Sequence, residues 1–448
     1  MDKWWQTTTA KVLGVAALAL LMTLPLAQVN ALVRERQQLR QAAVGQIAQG
    51  WGGRQVLGGP VLVVPTRQLS TAAGHAPQWH AGSETVLADT LTVNVDMATS
   101  TRHYGIYDVP VFVSTVKLQA VFRATDLARY RAASTADWQA GKAELHLPVG
   151  DLRGLQAVDA LQVDGKPVRF DASAEQLGPW FVVSVPIDLD ALGEHPVVVT
   201  ATLKLAGTES LQLAPLARVT DVSMHAPWSD PSFTGAALPL DHRVDASGFS
   251  ARWRLLDLNR SYGQHWRGHD HDIARALSAS TFGVALYQPA SVYQRNVRAG
   301  KYGLLFIALS FVVFFLFEVL KRLRVHPVQY LMVGAALSTF YVVLLALSEQ
   351  VGFDAAYAVA SMAVALIVGG YAAAILRTRR AGWILGGVLG LTYAMLYGLI
   401  AAEQYALLVG ALVLLAVVAL MMFLTRHIDW YACVPTPAGT PASDARPV

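Results

Sequence analysis

The chain has 448 residues, of which 54% are hydrophobic and only 15% are charged, against about 25% charged in an average soluble protein. The apolar residues concentrate in residues 12–33 and again after residue 302, so the composition excludes an ordinary soluble protein and indicates membrane segments around one large domain. The formal net charge is only +4 and no long block of Lys or Arg occurs, so no nucleic-acid partner is expected.

Long apolar windows predict the membrane part of the protein. A helix needs about 20 apolar residues to cross a hydrocarbon core of about 30 Å, since each residue adds about 1.5 Å. Six windows of this length contain no Asp, Glu, Lys or Arg, except for Glu318 near the end of the second. We expect six spans, at residues 12–33, 302–320, 328–348, 355–376, 381–402 and 404–425.

The first window raises the question of a cleaved signal peptide, because Val29 and Ala31 form an acceptable small-x-small cleavage site. Its apolar run of about 22 residues exceeds the 7 to 15 residues that are usual in a signal peptide. Apolar residues also continue at helical spacing, which predicts an amphipathic stalk helix over residues 34–53 that ends at a group of glycines. We therefore expect residues 1–33 to hold a retained anchor, with the stalk packed on the domain that follows.

Between residues 54 and 299 the pattern changes to short β-rich runs separated by turn residues. The run LQVDGKPVRF places Asp164 and Gly165 between two alternating segments, which is a strong signal of a β-hairpin. Helical periodicity here is limited to residues 125–139. The one cysteine, Cys433, follows the last apolar window, so no disulfide can stabilise this region. We expect a mostly antiparallel β domain over residues 54–299, arranged as a β-sandwich.

Basic residues between the windows predict the direction of the chain, because Lys and Arg collect on the cytoplasmic side of a membrane. The connections after the second, fourth and sixth windows are basic, whereas the alternate connections hold only acids. The arginines just after the first window oppose this direction, and the later connections outweigh them. Both termini are therefore expected in the cytoplasm and residues 34–299 outside it. The remaining spans form a five-helix domain over residues 300–432, followed by a disordered cytoplasmic tail, residues 433–448.

The β domain carries no recognisable catalytic motif, since GxSxG, HExxH, GxxxxGK[ST] and paired-cysteine patterns do not occur in it. We predict no catalytic residues and no cofactor. The candidates for a metal site are His265, His269 and His271 in the run HWRGHDHD. A polar loop is the commoner explanation of such a run, so no metal is predicted. Asp151 and Arg153, in the run DLRG, form either a site or, as we favour, an ion pair that stabilises a turn.

Ionisable residues are absent from the centres of all six windows, which disfavours a coupled transporter. Glu318 lies four residues before Arg322, a spacing that predicts an ion pair on one helix face. Glu349, at the opposite end of its span, is expected to be exposed to water.

Spans four and five carry small residues at every fourth position, so each presents one face on which a neighbouring backbone can approach closely. The short connection between them makes the two spans antiparallel neighbours. The positions are Ser361, Ala365, Gly369 and Ala373 in span four, and Gly382, Gly386, Gly390, Ala394 and Gly398 in span five.

Specific motifs are spread over most of the chain. They are RERQQLRQ and GQIAQGWGGRQVLGGPVLVVP near the start, RHYGIYDVPVF, DLRG and HAPWSDPSFTGAALP in the domain, and HPVQYLMVGAALSTFYVVLLALSEQ and RHIDWY in the membrane part. Together these motifs resemble the CreD-type inner-membrane proteins, also called cell-envelope integrity proteins. The resemblance implies a Gram-negative inner membrane, a periplasmic domain and a role in envelope integrity with responses to β-lactams and colicins, and it implies no reaction.

We therefore expect a non-enzymatic inner-membrane protein whose periplasmic domain binds or senses an envelope component, with the lipid bilayer as its other partner. A membrane transporter or exporter is the first alternative. A membrane-anchored periplasmic hydrolase is the second, and the missing catalytic motifs count against it.

The retained anchor can be tested by N-terminal sequencing of protein purified from membranes. If residues 12–33 stay in place, the mature chain should begin near Met1. A mature N-terminus at about Leu32 would show instead that the first window is removed as a signal peptide.

Overall fold

The structure is a computed structural model, and it describes residues 8–70, 78–192, 195–268, 270–286, 292–320, 325–375, 379–401 and 406–426. The expected tail, residues 433–448, lies outside the described residues. The chain divides into two compact units, of which the first consists of Met1–Gln38 with Ala290–Val448 and the second of Leu39–Pro289. We call them the helical unit and the β unit. The β unit begins within the expected stalk and ends before the expected boundary at residue 299.

The helices and strands follow one another in the order that the sequence pattern predicts, with helices at both ends and strands between. The helices are α1 Thr8–Leu21, α2 Thr23–Trp51, α3 Ala124–Ala133, α4 Leu189–Leu192, α5 His271–Ala279, α6 Val292–Leu320, α7 Pro327–Val351, α8 Phe353–Ile375, α9 Arg379–Ala401 and α10 Ala406–Thr425. The strands are β1 Gln55–Gly58, β2 Val61–Ser70, β3 Gln78–Tyr104, β4 Tyr107–Phe122, β5 Asp137–Trp138, β6 Ala143–Val149, β7 Leu155–Val163, β8 Lys166–Pro167, β9 Asp171–Leu177, β10 Trp180–Ile187, β11 Val197–Thr208, β12 Ser210–Ala214, β13 Ala217–Ala226, β14 Pro231–Gly235, β15 Asp241–Asp245, β16 Gly248–Leu256, β17 His265–Arg267 and β18 Phe282–Leu286.

Five helical stretches among the described residues are long and apolar enough to cross a membrane, and they coincide with the first five expected windows. The sixth window coincides with α10, whose described apolar stretch, Leu408–Leu420, is shorter than the others. Several membrane-spanning helices are therefore confirmed, and the number six stays a prediction. The five stretches are Leu13–Trp51, Val292–Glu318, Pro327–Val351, Phe353–Ile375 and Gly382–Ala401.

The first apolar stretch continues directly into the stalk. Pro25 has no N–H to donate to the carbonyl of Leu21, which explains the interruption between α1 and α2 at Met22. Helix α2 then runs to Trp51 and is followed by Gly52, whose φ of 99° is a conformation that favours glycine. One helix thus leads from the apolar window to the end of the expected stalk.

The end of the stalk packs on the β unit, as expected. The indole N–H of Trp51 donates to the carbonyl of Phe112 at 3.3 Å. The guanidinium of Arg102 lies over the Trp51 ring, 4.4 Å from its centroid. Trp51 therefore contacts both strands of the β3–β4 hairpin.

Within the helical unit, the first helix contacts α6 and α7 through glycines. A Cβ atom at Gly334 of α7 would lie 2.8 Å from Sδ of Met22, and one at Gly303 of α6 would lie 2.9 Å from a methyl of Leu26. Val33, further along the same helix, is 1% exposed. Met22 and Leu26 therefore occupy space that a larger residue at Gly334 or Gly303 would fill.

Two sheets in the β unit share the long strand β3. Its first part pairs with β2 and β17, and its second part pairs with β4 and β13. The first sheet contains β14-β18-β12-β1-β6-β10-β9, and β2 lies between β6 and β3. The second sheet has the order β8-β7-β11-β4-β3-β13-β16-β15.

The pairing confirms a mostly antiparallel β domain. Among the described strands only β1 with β12 and β3 with β13 run parallel. Buried apolar side chains from both sheets join one large core cluster, and a smaller cluster lies where α5 covers the first sheet. The β-sandwich arrangement stays a prediction.

Two local predictions have different outcomes. The Asp164–Gly165 hairpin is confirmed, since both residues have positive φ, 51° and 76°, and Val163 pairs with Lys166. The helix expected over residues 125–139 is too long. Helix α3 ends at Ala133, because the following residues form strand β5, which pairs with β2 instead.

The close packing of spans four and five is confirmed for part of the expected face. A Cβ at Gly382 of α9 would lie 2.7 Å from the carbonyl oxygen of Gly369, and one at Gly386 would lie 3.4 Å from the carbonyl oxygen of Ala365. The expectation was wrong for Gly390, where a Cβ would meet no atom within 4 Å. The two helices approach closely near their connection and leave a groove further along.

Replacing Gly382 by Leu should therefore destabilise the helical unit, because the new side chain collides with the backbone of α8. Overpacking of this kind costs about 2 kcal/mol or more. The measurement is the amount of folded protein recovered from membranes and its midpoint of thermal unfolding. Gly390→Leu on the same helix is the matched control, and it should be tolerated. Equal recovery of the two variants would remove the basis for this packing.

Candidate functional site

The structure separates the candidate histidines of the run HWRGHDHD. His265 lies on β17, and its Nε2 is 2.8 Å from a carboxylate oxygen of Glu84. His271 is the first residue of α5, and His269 lies outside the described residues. Within the described ranges, no group of three or more His, Cys, Asp or Glu side chains could hold a metal ion. The expectation of a simple polar loop was wrong for the second half of the run, which begins a helix.

Glu84 of β3 is a buried carboxylate, with only 1% of its side chain exposed. It accepts hydrogen bonds from Oγ of Ser134 at 2.7 Å and from the indole N–H of Trp138 at 2.8 Å. It also pairs with Nε of Arg267 at 2.9 Å, in addition to His265. Burial raises the pKa of this carboxyl, but the hydrogen bonds from Ser134, His265 and Trp138 outweigh that effect and hold the pKa below its usual value.

Helix α3 covers this buried carboxylate. The ring of Tyr130 stacks on His265, with 4.7 Å between the ring centroids. On the same strand as Glu84, Asp89 accepts a hydrogen bond from Nε of Arg218 at 3.0 Å. It also pairs at 2.8 Å with Arg123, which directly precedes α3. These contacts fix α3 on the strand β3 and indicate a structural role for the Glu84 cluster.

The opposite face of the same strands lines a cavity of about 400 Å³ between the first sheet and α5. Because side chains alternate along a strand, Ser83 and Thr85 point away from the side of Glu84. Trp266 of β17 lies between His265 and Arg267 in the strand, so it also points away from Glu84. Ser83, Thr85 and Trp266 all line the cavity. Strands β3 and β17 therefore separate an ion-pair cluster from an open cavity.

The cavity combines an apolar wall with acidic and imidazole groups. Leu177 of β9 and Leu277 of α5 contribute apolar surface, and Glu175, Asp270 and His271 contribute polar groups. None of the described lining residues is Lys or Arg. The cavity is thus suited to a small ligand that has both an apolar part and hydrogen-bond donors.

A buried histidine forms part of the cavity floor. His146 of β6 is 3% exposed, and its Nε2 lies 3.0 Å from a carboxylate oxygen of Glu144 and 3.8 Å from one of Glu175. No pattern in the sequence marks this residue as part of a site, because it stands alone in the strand AELHLPV. Only the pairing of β6 with β2 brings it to the cavity.

The predicted turn-stabilising pair at DLRG is confirmed. A guanidinium nitrogen of Arg153 lies 2.8 Å from Asp151, whose carboxylate also accepts from the backbone N–H of Gly53 at 2.9 Å. Burial raises the pKa of Asp151, but the hydrogen bonds from Arg153 and Gly53 hold it below the usual value. Gln55, which is completely buried, donates to the carbonyl of Ala206 at 3.0 Å. The run WGGRQ, residues 51–55, and the run DLRG are therefore held together by hydrogen bonds.

Acidic residues of the helical unit have partners that the sequence did not reveal. Glu318 is 4% exposed and accepts from the hydroxyl of Tyr330 at 2.8 Å, while its expected partner Arg322 lies outside the described residues. The expectation that Glu349 is exposed to water was wrong, since its side chain is 10% exposed. The hydroxyl of Tyr293 donates to Glu349 at 3.1 Å.

Helix α6 begins before its apolar window because its polar first turns bind α7 and α8. The amide of Asn296 donates to Oγ of Ser348 at 3.0 Å, and Arg295 pairs with Asp354 at 3.0 Å. Tyr397 of α9 also donates to Asp354, at 2.9 Å. These contacts connect four helices at one end of the helical unit.

Several membrane-spanning helices, with a large β-rich unit between the first and second of them in the sequence, define a multi-pass membrane protein. A family model described as Inner membrane protein CreD matches residues 7–431. Inner membrane protein CreD of Escherichia coli (strain K12) is 32% identical over 431 residues, which cover 94% of this chain and 93% of that protein. The chain belongs to the CreD family of inner membrane proteins.

The Glu84 cluster generates a prediction about pH. Since the folded pKa of Glu84 lies below its unfolded value of about 4.3, the carboxylate contributes stability above about pH 4.3. This stability is lost as the pH falls through the lowered folded pKa. Glu84→Gln should lower the stability of the β unit by about 2 kcal/mol at neutral pH, because it weakens hydrogen bonds to a charged group, and it should reduce the loss of stability in acid.

The measurement is the midpoint of thermal unfolding of the purified chain between pH 3 and pH 7, compared with Asp137→Asn as a control. Asp137 is a neighbouring acid that is exposed, so its variant should behave as the unchanged protein does. A Glu84→Gln chain that unfolds at the same midpoint and with the same pH dependence would contradict the structural role of this cluster.

Proposed function

We propose that the protein supports the integrity of the cell envelope by binding an envelope component in the cavity between β3, β6, β9, β17 and α5. The observation that carries the proposal is the cavity itself, with the buried His146 on its floor and the acid Glu175 beside it. The role in the envelope follows from the resemblance of the sequence to its family.

The proposed topology has six spans, both termini in the cytoplasm and residues 34–299 in the periplasm. Basic connections after the second, fourth and sixth windows support this direction. The β unit lies between two spanning stretches, so its cavity would face the periplasm and the envelope components found there.

The proposed function is non-enzymatic. Glu84 and His265 form an acid–imidazole pair of the kind that many hydrolases use, but the carboxylate is 1% exposed. Trp138, Ser134 and Arg267 occupy the remaining positions around its oxygens. A substrate could not reach this carboxylate without displacing the core, which supports binding rather than catalysis.

Filling the cavity should abolish the function. Ala274 of α5 lines the cavity, so Ala274→Trp places an indole in the space for the ligand. The variant should fail to restore tolerance to detergents and β-lactams in cells that lack the gene. Ala279→Trp is the matched control, since Ala279 lies exposed on the same helix, and it should restore tolerance fully.

Both variants must be present in the membrane in equal amounts for this comparison. Full complementation by Ala274→Trp would show that the cavity is not used. A deletion strain that loses a metabolic step, while its tolerance stays normal, would point to an enzyme instead.

A further inference from the structure

We infer that the cavity of the β unit takes an organic cation, a primary amine carried on an apolar body. The inference rests on the proposed function, because it names the class of ligand for the same cavity. Its basis is the charged and apolar side chains that line the cavity and the capped N-terminus of α5 beside it.

The charges around the cavity favour a cation. Glu175 and Asp270 line it together with two histidines, His146 and His271, and Glu144 contacts the ring of His146. The described lining residues include no Lys or Arg to attract an anion. A carboxylate that is half exposed, as Glu175 is, can approach an ammonium group without a large loss of its own hydration.

The apolar wall fits the carbon chain of such a ligand. Ile273, Leu277 and Leu177 line the cavity beside the acids. Trp266 also lines the cavity, and it is 9% exposed. A cavity of about 400 Å³ admits a molecule of several carbon atoms with an amine at its end.

The N-terminus of α5 would attract an anion if it were free, but it is already capped. The carboxylate of Asp270 accepts from the backbone N–H of Asp272 at 2.8 Å. This cap satisfies one of the exposed N–H groups and opposes the positive end of the helix dipole with a negative charge. The capped helix end therefore gives the cavity no preference for an anion.

The experiment is a calorimetric titration of the purified full chain in nanodiscs of zwitterionic lipid, which avoids binding of amines to the bilayer. The probes are hexamethylenediamine, hexanediol and adipate, three molecules with the same carbon chain and with positive, neutral and negative ends. We expect the diamine to bind at one molecule per chain, and the diol and the diacid to show no binding at the same concentrations.

Glu175→Gln should weaken the binding of the diamine about fivefold, the upper range for an exposed charge pair. Asp272→Asn is the matched control. It removes an acid that is close by on α5 but does not line the cavity, and it should leave the affinity unchanged.

Tighter binding of the diol or the diacid than of the diamine would overturn the choice of a cation, as would equal affinity of the Glu175→Gln chain for the diamine. The same results leave the complementation experiment unaffected, because Ala274→Trp blocks the cavity for a ligand of any charge. Failure of the inference and failure of the proposed function are thus separate outcomes.

Discussion

The fold depends on the contact between the first helix and the glycines of α6 and α7. The β unit begins at Leu39 within α2 and ends before α6, so the helical unit is built from two separate parts of the chain. In lipid, the hydrophobic effect does not drive helices together, and close van der Waals contact replaces it. Gly300, Gly303 and Gly334 provide that contact, since a Cβ at any of them would collide with Asn30, Leu26 or Met22. A chain that lost its first helix would lose this contact, which favours a retained anchor.

In the β unit, strand β3 has two different roles on its two faces. Glu84 on one side holds the short strand β17 through His265 and Arg267, while the other side of both strands forms the wall of the cavity. β17 has only three residues, so ladder hydrogen bonds alone hold it weakly. The ion pairs at Glu84 therefore keep Trp266 in position at the cavity, which connects the stability of the cluster to the shape of the binding space.

The sequence predicted those features that repeat with a fixed period. The alternation of apolar and polar residues revealed strands such as β4 and the Asp164–Gly165 hairpin, and long apolar windows revealed the spans. Helical turns made of polar residues were not predicted, because α5 begins inside the polar run HDHD and the first turns of α6 bind other helices through polar side chains. The cavity could not be predicted, since His146, Glu175 and Trp266 lie far apart in the chain and only sheet pairing brings them together.

The central claim is that an envelope component occupies the cavity, and crosslinking in intact cells tests it most directly. A photo-crosslinking amino acid would replace Gln176, which lines the cavity, and a second chain would carry it at the exposed Asp159 of β7 in the second sheet. We expect the probe at position 176 to capture a defined envelope component that carries an amine, and the probe at position 159 not to capture it. Identical products at both positions, or none at position 176, would contradict the account.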